Sequence, residues 1–269
     1  PPPPPPPATF VVYGDSLVVQ ASDLLVQRLA EHLPGWQIIV RAYGGTAQCD
    51  WTSNMIWDAE HLDVKGVVIA FSGNDLTSCI TGRPYLQGYT DDANWADTWW
   101  TNHLVAHAFV NSPGVVGTTP ADRAVGNMYA ALGQRVGAPV ADAVGLLAGG
   151  LPVRFQQSMP CLVGECSGYV DVRSANGTHL CDIRQAVAAC PATSSGVVRF
   201  VEPIVHAVAS MFGLAQPPFR QLTTPPPTTT TSVPTTTTSV PTTTTSVPPT
   251  TTSVPPTTTS TVPTTTTVT

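Results

Sequence analysis

Short runs of buried-type residues alternate along the chain with stretches whose apolar positions recur at helical spacing. Phe10–Tyr13 is a continuous apolar run, and Leu17, Ala21, Leu24, Leu25 and Leu29 follow it at 3.6-residue spacing, which predicts a buried strand feeding an amphipathic helix. Apolar runs return at Trp36–Arg41 and Val64–Phe71, with Leu104–Val110 as a fourth strand and the shorter Tyr169–Val172 as a fifth. Phe200, Val201, Ile204, Val205, Val208 and Phe212 then mark a closing helix. Strand and helix in alternation predict an α/β domain of three layers, α/β/α, with a five-stranded parallel sheet of the flavodoxin-like kind. In open sheets of this type ligands sit beyond the carboxyl ends of the strands, so chemistry is to be sought in the residues that follow each strand.

Both ends of the chain lack such patterning. Residues 1–7 are all proline and read as a linker, while residues 223–269 consist of Thr, Pro, Ser and Val, with TTTTSVP repeated at Thr228–Pro234, Thr235–Pro241 and Thr242–Pro248. Without charge, aromatics or leucine that tail has nothing to bury, and regular proline favours an extended, disordered stalk. Dense Thr beside Pro is also the composition of O-glycosylated stalks; an unmodified linker to a further segment is the alternative. Residues 8–222 remain, enough for one domain with a sizeable core.

Charge and cysteine content narrow the classes further. All 11 basic and 17 acidic residues fall between Asp15 and Arg220, and a net charge of −6 with scattered Lys and Arg gives no basic stripe for nucleic acid. The longest apolar candidate for a membrane span, Val140–Val153, is broken by Asp142 and Gly149-Gly150, so no transmembrane segment is expected. A secretion signal, had one existed, would already have been removed. Cys49, Cys79, Cys161, Cys166, Cys181 and Cys190 are even in number and lack the paired spacing of metal sites, which favours disulfides, no bound metal and a secreted or cell-surface location.

Three glycine-containing turns follow the first three strands. Gly14-Asp15-Ser16-Leu17 puts a serine at a strand-to-helix turn, where its hydroxyl is at the sheet rim and its own N–H is at a helix N-terminus. Asp-Ser is equally an ordinary helix cap, so the tetrapeptide alone leaves both readings open. Tyr43-Gly44-Gly45-Thr46 and Ser72-Gly73-Asn74-Asp75 sit at the same rim, and the N–H groups of Ser16, Gly44 and the Asn74 side chain form a candidate three-donor oxyanion hole. His179, in Asn176-Gly177-Thr178-His179, follows the fifth strand and is the candidate general base; the other histidines fit solvated or structural positions better.

With these four segments in this order, the sequence resembles the SGNH hydrolases, also called the GDSL esterase and lipase family. The resemblance spans roughly Ala8 to Phe212. It implies the SGNH hydrolase fold, Ser16 as nucleophile and oxyanion donor, Gly44 (or its neighbour Gly45) and Asn74 as further donors, His179 as base, and no metal or organic cofactor.

One position departs from the family pattern. Three residues before the histidine the family carries Asp, and this chain has Asn176. A carboxylate fixes the imidazole tautomer and stabilises the imidazolium, which an amide cannot do with charge; in serine proteases the same exchange costs about four orders of magnitude in rate. Asn176 orients His179 in a slower enzyme, or Asp171 or Asp182 supplies the acid, or hydrolysis has been lost. Asn176-Gly177 is also a deamidation-prone pair, whereas the match of Asn176-Gly177-Thr178 to a glycosylation sequon is taken as chance. Tyr85, Tyr89, Trp95, Trp99 and Trp100 are interleaved with acidic residues, and either line a substrate surface at the rim or staple an insertion to the core.

The expectation is therefore a secreted, monomeric serine esterase acting through an acyl-enzyme on a small-molecule, lipid or glycan ester, with short-acyl glycan esters preferred. A tail-mediated association with the cell wall accompanies it. The alternatives are a catalytically impaired glycan- or wall-binding module and a glycan O-acyltransferase.

Overall fold

The computed structural model describes residues 6–162, 165–182 and 188–218. The tail at 223–269 and most of the proline run lie outside them. Five parallel strands, β1 (Thr9–Gly14), β2 (Gln37–Ala42), β3 (Val64–Ala70), β4 (Ala106–Asn111) and β5 (Val140–Asp142), form one sheet in the order β2-β1-β3-β4-β5. That is the flavodoxin-like doubly wound order, as the alternation of runs predicts. Helices α1 (Ser16–His32), α2 (Thr52–His61), α3 (Tyr85–Asn102), α4 (Ala124–Val136) and α5 (Ser195–Met211) cover its two faces.

The strand pleat divides the core. In β1, Phe10 and Val12 join Leu17, Leu24, Leu25 and Leu29 of α1 and Phe200, Val201 and Ile204 of α5. Val11 and Tyr13 face the opposite cluster, with Met55 of α2, Tyr89 and Trp100 of α3 and Tyr129 of α4. Because alternate side chains point to opposite faces, a continuous apolar run is what a strand buried on both sides requires.

The fifth strand is a correction. Tyr169–Asp171 does not enter the main sheet; it pairs antiparallel with Ser158–Pro160 as a separate two-stranded ribbon. The fifth place belongs to Val140–Asp142, which pairs parallel to β4 through Phe109↔Val140 and Val110↔Ala141. Three residues at a sheet edge carry too little apolar periodicity to register as a strand, and here they merge into the apolar stretch that runs on to Val153. The aromatic segment after β3 is likewise a helix, α3, with Tyr89, Ala93, Ala96 and Trp100 fully buried. It is the staple, with Asp91 and Asn102 exposed to solvent while Asp92 and Asp97 are partly covered against Arg83 and His107.

A buried ion pair joins the two helices of one face. Arg28 of α1 meets Glu202 of α5 through Nε–Oε1 at 2.8 Å and Nη2–Oε2 at 2.9 Å, and Glu202 is fully buried. Removing one partner of such a pair strands a charge in a low-dielectric interior. Glu202→Ala is expected to lower unfolding stability by about 3–5 kcal/mol, read from urea denaturation. Arg28→Met with Glu202→Leu should recover most of that loss, because the pair's desolvation cost disappears with it.

Candidate active site at the carboxyl rim

The carboxyl ends of β1, β2 and β3 converge on one buried carboxylate. Asp15 is fully buried and caps α1, its Oδ1 accepting from Leu17 N at 3.1 Å. Its Oδ2 accepts from Ser72 N and Ser72 Oγ, both at 2.6 Å, and from Asn74 Nδ2 at 3.2 Å. Burial pushes the Asp15 carboxyl above the ordinary range, while the Ser72 and Leu17 donors and the His179 imidazole pull the other way. Gly14 makes this crowding possible: a Cβ there would lie 2.2 Å from Val18 Cγ2 and 2.8 Å from Ala70 O.

Ser16 is the first residue of α1, 8% exposed, and neither its N–H nor that of Gly44 meets an acceptor among the described residues. Both are free donors at the rim, and the positive φ of +80° falls on Gly45, which makes the turn while Gly44 presents its amide. Asn74 stands beside them, but both hydrogens of its Nδ2 are engaged, with Thr46 O at 2.9 Å and with Asp15. Its loop is held from above by α3, where Tyr85 Oη donates to Gly73 O at 2.7 Å and Tyr89 Oη to Asn74 O at 2.9 Å. The Cys49–Cys79 disulfide, with Cα atoms 6.0 Å apart, joins the segments after β2 and β3 as the rim placement of both turns requires. Cys161–Cys166 and Cys181–Cys190 are the expected local clips.

His179 reaches the rim through α1. One turn below Ser16, the buried Gln20 accepts from Leu180 N through Oε1 at 2.8 Å and from Cys190 N through its carbonyl at 2.8 Å. The residue after His179 is thereby pinned to the start of the helix that Ser16 begins, and the imidazole lies within electrostatic reach of Asp15. Burial lowers the His179 pKa, the nearby Arg173 guanidinium lowers it further, and Asp15 opposes both. Arg173 itself is 2% exposed, donates to Thr178 O at 2.6 Å and Gly114 O at 2.7 Å, and so clamps the histidine turn against the loop after β4. Burial and then Arg123 bring its pKa to about 10, still a cation at neutral pH.

Asn176 contacts the imidazole. Its Nδ2 lies 2.7 Å from His179 Nδ1, while its Oδ1 accepts from Ser174 Oγ at 2.6 Å, Thr178 N at 2.8 Å and His179 N at 3.1 Å. Turning the amide over would set Nδ2 against two backbone N–H donors, each an unsatisfied pair worth about 1–3 kcal/mol. The amide therefore donates to Nδ1, and the neutral ring carries its proton on Nε2. Asp171 bonds Ser158 on the two-stranded ribbon, and Asp182 accepts from Ala175 N at 2.7 Å; neither is bonded to the imidazole.

Several of these parts carry no motif of their own. Tyr85 and Tyr89 are readable only as an i, i+4 pair once α3 is known to be a helix, and Gln20 only from its place one turn after Ser16. Arg173, an isolated basic residue, gives no sequence signal for its two carbonyl contacts.

No protein-family model matches the sequence, and no curated protein sequence matches it. The solved structures define the class of fold: it is that of the SGNH hydrolases, a five-stranded parallel sheet between helices. A lipase/acylhydrolase from Enterococcus faecalis is similar with a TM-score of 0.51 and 13% identity over 78% of this chain and 99% of its own. An acetyl xylan esterase from Geobacillus stearothermophilus is similar with a TM-score of 0.51 and 11% identity over 78% and 97%. An alpha/beta hydrolase enzyme from the metagenome of Lake Arreo, Spain, gives 0.50 and 12% over 77% and 96%. At these identities the fold is what is shared.

Asp15→Asn tests the hub. An amide cannot accept from both the Leu17 cap and the Ser72 donors, so one set is left facing an NH2 group. Unfolding stability is expected to fall by about 1–3 kcal/mol, measured by urea denaturation.

Proposed function

We propose that the chain is a secreted serine hydrolase of the SGNH family that cleaves carboxylic esters through an acyl-enzyme on Ser16. The observation that carries this reading is the Leu180–Gln20 bond, which supports placing the His179 imidazole near the start of α1, at the rim that also holds the unbonded N–H groups of Ser16 and Gly44. Ser16 Oγ attacks the ester carbonyl and His179 takes the proton. The carbonyl oxygen, now negative, is met by the N–H groups of Ser16 and Gly44, at the positive end of α1. The leaving alcohol takes that proton back, and water repeats the sequence to release the acid. Asn74 joins the oxyanion donors by exchanging its longer bond, to Asp15, for the developing charge.

Short-acyl esters of glycans are the preferred substrates. An acetyl xylan esterase is among the fold neighbours, and a Thr/Pro-rich stalk suits a protein held at a cell surface near such polymers. Three disulfides fit an oxidising compartment, and among the described residues no helix is long and apolar enough to cross a membrane. We read the domain as a monomer without cofactor.

The second reading, a catalytically impaired glycan- or wall-binding module, is favoured by one observation. With its proton on Nε2 and with Nδ1 accepting from the Asn176 amide, the His179 ring has no nitrogen free to act as a base.

Turnover of p-nitrophenyl acetate separates the two. Ser16→Ala should abolish it, and Asn176→Asp should raise kcat by about a hundredfold or more, since the reverse change in serine proteases costs about four orders of magnitude. Absence of p-nitrophenol release from both the native chain and Asn176→Asp would leave the binding module.

The pH profile follows from the lowered His179 pKa. A group that resists protonation stays a base as pH falls, so the acid limb of kcat/KM should lie below the ordinary histidine value of 6.5. Arg173→Met should move that limb up in pH by removing a nearby positive charge, whereas Arg173→Lys should leave it low.

A further inference from the structure

We infer that Asn176 is a self-modification site: the folded turn hydrolyses its own side-chain amide to aspartate. The conversion follows from the turn's geometry alone. Its consequence, completion of a triad in which the new carboxylate at position 176 joins Ser16 and His179, rests on the hydrolase reading above.

The amide is surrounded by the groups that amide hydrolysis needs. Oδ1 is met by Ser174 Oγ at 2.6 Å, Thr178 N at 2.8 Å and His179 N at 3.1 Å, three donors converging where negative charge forms when Cγ becomes tetrahedral. The leaving nitrogen, Nδ2, is 2.7 Å from an imidazole nitrogen. Asn176 is exposed, so water reaches Cγ. Backbone bonds hold the turn in this arrangement: Ser174 N donates to His179 O at 2.8 Å, Val116 N to Gly177 O at 2.9 Å, and Arg173 donates to Thr178 O.

Water adds to Cγ and its oxygen forms the new C–O bond, while Oδ1 takes the negative charge under its three donors. The proton given up by the water passes through His179 Nδ1 to Nδ2, whose lone pair is freed as its conjugation with Cγ is lost. The Cγ–Nδ2 bond breaks and ammonia leaves, carrying off the acid proton as ammonium. A carboxylate remains. One of its oxygens keeps the three donors of Oδ1, and the other accepts from His179 Nδ1–H, so every partner in the turn is satisfied and the ring proton moves from Nε2 to Nδ1.

The usual route at Asn-Gly pairs in loose chains is different: the glycine nitrogen attacks Cγ, and the cyclic imide opens mainly to isoaspartate. Here Gly177 is buried and its N–H donates to Ser174 O at 2.9 Å, which withholds that nitrogen. The folded chain therefore yields ordinary aspartate, and the unfolded chain yields isoaspartate.

The test is peptide mapping by mass spectrometry of the full chain, purified fresh and incubated at neutral pH, beside a reduced and denatured sample. Expected are α-linked aspartate at position 176 in the folded sample and predominantly isoaspartate in the denatured one. His179→Ala should slow the folded conversion by about a hundredfold, and Ser174→Ala, which removes one oxyanion donor, by a comparable factor. Asparagine alone at 176 in the folded sample after the denatured one has converted would overturn the inference. So would predominant isoaspartate in the folded sample, or conversion at the native rate in both variants. Activity of the directly encoded Asn176→Asp chain is scored separately: if position 176 converts and that chain is inactive, the hydrolase reading fails and the modification stands.

Discussion

The rim depends on a carboxylate that water cannot reach. Asp15 must satisfy its two oxygens from within the protein, and it draws on four donors to do so: Leu17 N, Ser72 N, Ser72 Oγ and Asn74 Nδ2. Those donors come from the start of α1 and from the loop after β3. A displaced loop would strand a buried charge, so the requirement to satisfy Asp15 fixes where Ser16 and Asn74 stand. The remaining constraints act on the same loop. Tyr85 and Tyr89 hold its carbonyls, Asn74 reaches across to Thr46 O, and Cys49–Cys79 covalently joins it to the loop after β2. Preorganisation of this kind is what an oxyanion site needs, since donors that must first be moved into place contribute less to lowering the barrier.

Both faces of the sheet serve that rim in different ways. The α1–α5 face carries the proposed nucleophile and, through Gln20, the histidine segment; the Arg28–Glu202 pair locks these two helices together. The opposite face supplies α3, whose buried Tyr89 and Trp100 anchor a helix that begins over the third-strand loop. The disulfide Cys181–Cys190 restrains the chain after His179, and Cys190 N is itself bonded to Gln20 O, so α1 holds both ends of that segment.

The first four strands, the closing helix and the three rim turns are legible in the sequence because each is a long apolar run or a turn of special residues placed directly after one. β5 is not, because three edge residues generate no period and the Pro139 before them reads as a loop. The Tyr85–Trp100 segment misleads for the opposite reason. Its buried positions are Gly88, Tyr89, Ala93, Ala96 and Trp100, three of them glycine or alanine, so the apolar face is carried largely by small residues while conspicuous aromatics also occupy its half-buried flanks. At the site, residue types at motif positions name Ser16, Gly44, Asn74 and His179. What holds them is made of single side chains from distant segments, among them Gln20, Tyr85 and Arg173, and contacts of that kind leave no local pattern. The direction of the Asn176 amide is equally invisible, since it is decided by two backbone donors, Thr178 N and His179 N, that converge only once the turn has closed.

Two buried guanidinium groups give this rim a definite electrostatic sense. Arg123 lies close enough to Arg173 to disfavour its charge, Arg173 acts on His179 in the same way, and the amide-rich start of α1 adds partial positive charge. Asp15 is the buried carboxylate within reach of the ring, and its oxygens are already engaged by four donors. Such a field favours an oxyanion and opposes an imidazolium. Ester cleavage by serine and histidine generates both at once, so a site with only the first advantage is half equipped. A carboxylate at position 176 would sit against His179 Nδ1 without disturbing any partner of Oδ1, offset Arg173 at the ring, and leave the field over the carbonyl oxygen largely unchanged. The turn from Ser174 to His179 has the bonding pattern of one built around a carboxylate. The asparagine there fits every donor except the single ring nitrogen on which the direction of proton transfer depends.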